Sequence, residues 1–86
     1  MDMTKAWDIV GEYSSRDTLS EDDSILLEEA LNYILIEALI RNEKSRYYLW
    51  ENDIIAGSWN LAAYYEKIGK YELAHKYYNL SKEYEL

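Results

Sequence analysis

Few side chains in this sequence stand at a spacing that chemistry could use. Glu72 and His75 form a Glu-x-x-His pair, the element with which helical bundles hold paired iron ions when matching carboxylates and a second such pair project inward from facing helices. His75 is the only histidine, so one subunit holds no second pair. At helical spacing both residues also fall with Lys76, Asn79, Lys82 and Glu83, away from the tyrosines and leucines of the same segment. A solvated face is the expectation, and no metal site is assigned. Acids cluster at Glu21, Asp22 and Asp23 and again at Glu28 and Glu29. Acid–base catalysis would need two carboxyls in a shaped pocket with separated pKa values, whereas these positions suit a helix cap and an exposed helix face. With no cysteine and no glycine-rich phosphate loop, thiol and nucleotide chemistry lack their usual parts. The sequence reads as a non-enzyme with no catalytic residue and no cofactor.

What the chain does carry is aromatic surface: ten tyrosines and three tryptophans, with no phenylalanine. Stacking on nucleic-acid bases would need a positive groove beside the rings. Lys44, Arg46, Lys67, Lys70, Lys76 and Lys82 are instead matched by six acids over residues 44 to 86, which disfavours nucleic acid as a partner. The doublets Tyr47-Tyr48, Tyr64-Tyr65 and Tyr77-Tyr78 are more telling. Adjacent helical residues point about 100° apart, so one ring of each pair is expected at an edge of the core. Tyrosine suits interfaces, having a broad apolar body and a polar tip. It also suits a small core that has no phenylalanine, and both readings stand at this level.

The elements that would position these residues are helical. The chain has no proline and three glycines, is rich in strong helix formers, and nowhere sustains strand-type alternation. The spacing predicts an all-α antiparallel bundle of three to four helices, over about 4–14, 20–42, 45–68 and 70–85, forming one domain. Thr4 is expected to cap the first, and Ser20, with an acid at Asp23, to cap the second. The second helix is apolar nearly all round: Leu27, Ala30, Leu31, Ile34, Leu35 and Ala38 share one arc, while Ile25, Leu26, Tyr33, Ile36 and Ile40 populate the other side. Such a helix must be covered on more than one side, by the first helix, by a second copy or by another protein. Asn52-Asp53 and Gly57-Ser58 leave the third helix open to a kink. Gly69 supplies a turn before a last helix with one apolar face.

Charge is unevenly placed. Residues 1 to 43 carry eleven acids against Lys5, Arg16 and Arg41, so the whole net charge of −8 lies in the first half. Nothing approaches the roughly 20 apolar residues that cross a bilayer, and no basic-then-apolar leader pattern opens the chain. With cysteine absent, a cytoplasmic protein that does not enter membranes is the expectation.

At the last hairpin the spacing becomes specific: Leu61-Ala62-x-x-Tyr65, then Gly69-x-Tyr71-x-x-Ala74-x-x-x-Tyr78-x-x-Ser81. Over residues 55–82 this resembles a single tetratricopeptide repeat. The resemblance implies that Ala62 and Ala74 sit at a close helix contact with Tyr65, Tyr71 and Tyr78 around it. Ser81 stands where that family has alanine, Trp59 lies one position from the family's tryptophan, and the closing proline is absent. No second copy is visible upstream, so the family's peptide-binding groove is not implied in full. A tight helical hairpin reaching the same spacing independently is the alternative.

These observations lead us to expect an interaction or adaptor module that binds a protein partner, or itself as a homodimer. The expected contact residues are Tyr33, Ile36, Ile40, Tyr48 and Tyr64. The alternative is an acidic inhibitor, immunity protein or nucleic-acid mimic that presents Glu21, Asp22, Asp23, Glu28 and Glu29 to a basic partner, with Asp8 and Glu12 beside them.

Overall fold

The computed structural model describes residues 1–44 and 48–85, and at Tyr48 and Leu49 the backbone alone. Among these residues four helices follow in order: α1 (Met3–Tyr13), α2 (Glu21–Lys44), α3 (Tyr48–Lys67) and α4 (Tyr71–Tyr84). The protein is an all-α antiparallel bundle.

Each helix begins and ends for a local reason. The cap of α1 is Asp2 rather than Thr4: Asp2 holds extended backbone and its Oδ1 accepts from the Lys5 N–H at 2.8 Å, while Thr4 already lies inside the helix. Ser20 caps α2 as expected, its Oγ accepting from the Asp23 N–H at 3.1 Å. Glu21, Asp22 and Asp23 in the first turn and Arg41 and Lys44 in the last complement the helix dipole at both ends. The third helix is continuous through Asn52-Asp53 and Gly57-Ser58. It stops at Gly69, whose φ of 83° is open to glycine at little cost. There the Lys70 N–H reaches the Tyr65 carbonyl at 2.8 Å and the Gly69 N–H the Glu66 carbonyl at 3.1 Å, the paired bonds of a Schellman ending.

Packing runs between sequence neighbours. Backbones approach closely between α1 and α2, α2 and α3, and α3 and α4. The first helix does pack on the rest, through buried Ala6, Ile9 and Val10, and one apolar cluster continues through Leu31 and Ile34 of α2, Ile54 and Leu61 of α3 and Ala74 of α4. Gly57 sets the α2–α3 spacing, since a Cβ there would lie 3.3 Å from Ile34 Cγ2 and 3.6 Å from Leu35 Cα. Between α3 and α4 small residues do the same work, with Ser58, Ala62, Ala74 and Ser81 all buried. Tyr71, expected beside that contact, is 68% exposed instead, because it stands at the edge of the arc that α4 buries.

Candidate interaction surface

The buried arc of α2 is made by Leu27, Ala30, Leu31, Ile34, Leu35, Ala38 and Asn42, and α1 and α3 both pack on that side. The opposite arc is left open. Ile36 is 54% exposed and Ile40 41%, and half-buried Tyr33 lies between them and the core edge. These three stand three, four and seven residues apart, the spacing of neighbours on a helix surface. Ile25, also exposed, falls on the same arc, because eleven residues are close to three whole turns. That periodicity was available in the sequence, and it extends the stripe towards the start of α2.

The stripe is bordered by charge. Glu29 and Glu43 lie exposed on the same face, as do Glu21 and Asp22 in the first turn. Arg41 is engaged elsewhere: Nε lies 3.4 Å from Glu37 Oε2, and the guanidinium sits 5.0 Å from the Trp50 ring centre. Two of the acids expected at the surface have internal partners. Asp23 is 3.4 Å from Arg16, whose guanidinium also holds Glu12 at 2.9 Å. Glu28 is half-buried and accepts a 2.6 Å hydrogen bond from the Tyr65 hydroxyl.

Two expected contact residues fare differently from the α2 stripe. The side chain of Tyr48 lies outside the described residues. Tyr64 is not on the surface: it is 9% exposed, and Tyr65 is buried with it, so the doublet places both rings inside rather than one at an edge. The cause is that α3 is flanked on two sides. Tyr64 turns to α2, where its hydroxyl lies 2.6 Å from the Ser24 hydroxyl, while Tyr65 stacks on Tyr77 of α4 with ring centres 5.7 Å apart. Burial and donation to Glu28 together push the Tyr65 phenol up to about 12, burial being the larger effect.

No family model, curated protein or solved structure matches this chain.

The structure adds a feature that periodicity could not supply, because it lies between helices. A cleft of about 370 Å³ opens where α1 and α3 straddle α2. Leu27 and Leu31 line it from α2, Tyr13 and Leu19 on one side, Tyr64 and Ile68 on the other, and among the described residues Lys67 is the one charged residue lining it. Lys67 Nζ also donates to the Arg16 carbonyl at 3.3 Å, tying the α1–α2 connection to α3 across the cleft mouth. Elsewhere, Glu72 and His75 are both exposed on α4. Among the described residues no cluster of three or more His, Cys, Asp or Glu could hold a metal ion, and no helix is long and apolar enough to cross a membrane. Asp53, partly buried on α3, has its carboxyl raised above the ordinary range by burial, with Arg41 opposing the shift.

Proposed function

We propose that this protein is a binding module without catalytic activity, which docks a protein partner on the outward face of α2. The observation that supports this reading is the exposure of Ile36 and Ile40 beside Tyr33, on a helix whose other apolar arc is already filled by α1 and α3. Scattered exposed apolar residues are ordinary, but several in one line mark an interaction site. Completing the burial of two half-exposed isoleucines would contribute roughly 1 kcal/mol each, to which Tyr33 and the surrounding contacts must add to offset the cost of association.

The test is chemical cross-linking and solution mass of the intact protein, alone and with native extract, compared with an Ile36→Lys/Ile40→Lys variant. Both positions face solvent, so far-UV circular dichroism should be unchanged while association is lost. Association that survives the double substitution refutes the assignment of this face. The acidic reading keeps a specific motive in the exposed Glu21, Asp22 and Glu29. It predicts a steep fall of binding with salt, whereas docking through the apolar stripe alone predicts little change.

A further inference from the structure

Resting on that docking surface, we infer that the partner it receives is a cationic amphipathic helix of another protein, with apolar anchors flanked by lysine or arginine. Asp22, Glu29, Ile36 and Glu43 recur at seven-residue intervals, so they form one line along α2. The apolar centre, Tyr33, Ile36 and Ile40, therefore has an exposed acid beyond each end, Glu29 before it and Glu43 after it. Arg41 is held by Glu37 and Trp50, and Lys44, exposed beside Glu43 in the last turn, offsets one acid and leaves the line with Asp22 and Glu29 in excess.

A second copy of the chain fits this face poorly. Parallel and in register, it would set Glu29 on Glu29 and Glu43 on Glu43. Antiparallel through Ile36, it would set Glu29 against Glu43. Each chain also carries a net charge of −8, and like charges brought together across an interface oppose association. Nucleic acid and anionic lipid surfaces are repelled for the same reason. A helix is the fitting shape because the interior of α2 spends its backbone donors and acceptors on itself, leaving no sheet edge for an extended peptide. A convex row of side chains three and four residues apart is instead received by the groove beside a matching row. Basic residues one turn outside the partner's anchors would then meet Glu29 and Glu43.

The experiment uses the whole protein and a fluorescent model peptide of about 18 residues, roughly five helical turns, built from leucine and lysine in amphipathic order. Two control peptides carry glutamate for lysine, or the same composition shuffled to destroy the helical period. Fluorescence anisotropy should show the leucine–lysine helix binding at least about tenfold more tightly than either control, a difference that a pair of anchoring contacts supplies. Ile36→Ala/Ile40→Ala should weaken it by about tenfold, and Glu29→Gln/Glu43→Gln by roughly threefold to tenfold with a flatter salt dependence. Glu83→Gln/Glu85→Gln, an equal charge change on the exposed end of α4, should leave affinity unchanged. Equal binding of the shuffled peptide, or equal weakening by the α4 substitutions, would reduce the effect to general charge attraction and overturn the inference. Preference for the glutamate peptide, or a doubled solution mass abolished by the Ile36 and Ile40 substitutions, would overturn it while leaving the α2 docking face standing. Binding indifferent to Ile36 and Ile40 would overturn both.

Discussion

Gly57→Ala isolates the contact that sets the distance between α2 and α3. In an exposed helix interior this change stabilises by about 1 kcal/mol, since alanine restricts the unfolded chain and fits helical backbone better. At position 57 the new Cβ would meet Ile34 Cγ2 at 3.3 Å, with Leu35 Cα at an ordinary 3.6 Å. Ile34 is fully buried, so its methyl has no solvent to move into, and overpacking of this kind costs about 1–3 kcal/mol. The clash outweighs the propensity gain, and we expect a net destabilisation of about 1 kcal/mol. The stereochemistry supplies a second arm. Ile34→Val keeps Cγ2 and should not help, whereas Ile34→Leu has no branch at Cβ and removes the offending methyl. In the Gly57→Ala/Ile34→Leu double variant the alanine should therefore become stabilising, giving a coupling of about 1–2 kcal/mol in a double-mutant cycle. Urea unfolding followed at 222 nm measures each corner. A Gly57→Ala single variant more stable than the parent, or a coupling near zero, would show that the helices are not held at this distance.

Three further outcomes follow from buried polar groups. Ser58 and Ser81 each bury an Oγ that has no hydrogen-bond partner among the described residues, so Ser81→Ala should raise the urea midpoint by an amount equivalent to about 1 kcal/mol; a fall would mean that the hydroxyl is satisfied. Asp53 has a folded pKa raised by burial, so its ionisation opposes folding. Its favourable contribution is complete below the unfolded pKa and is lost as pH rises through the folded one. Asp53→Asn should accordingly stabilise at neutral pH and give no gain below about pH 3.5, which paired thermal melts at the two pH values would show. For Tyr65 the same sign applies at the alkaline end. Its phenol ionises at about 12 when folded against an ordinary 10, so stability present below pH 10 drains away towards pH 12. Tyr65→Phe should cost about 1 kcal/mol at neutral pH through the lost bond to Glu28 and show a shallower decline over that alkaline window.

Much of this architecture was legible in the sequence because it is written in local terms. Ser20 before three acids marks a helix start whatever surrounds it, and Gly69 after Lys67 and Ile68 marks an end. The all-round apolar character of α2 pointed to cover on more than one side, whereas α1 and α3 both pack on one arc and leave Ile25, Ile36 and Ile40 exposed on the other. What the sequence left open was decided by neighbours. Asn52-Asp53 and Gly57-Ser58 are weak helix formers, yet α3 runs through them because α2 and α4 grip it on both flanks, and packing overrides intrinsic preference. The Tyr64-Tyr65 doublet misled for the same reason: two rings about 100° apart both find cover when a helix has a neighbour on each side. The cleft between α1 and α3 was invisible to periodicity, since its lining comes from three helices and the 14–20 connection.

The sequential arrangement of the helices has a consequence for how the chain folds and opens. Among the described residues close backbone approach is confined to consecutive helices, so the fold is built from helices and the hairpins between sequence neighbours, and topologies of that kind fold quickly. Protection against hydrogen exchange should then be graded along the chain rather than uniform. The amides of α2 and α3, each packed against two other helices, would exchange last. The amides of α1, held through α2 and the Lys67 bond to the Arg16 carbonyl, would exchange early, and each release of α1 would lay open the cleft floor at Leu27 and Leu31 while the other three helices stay folded.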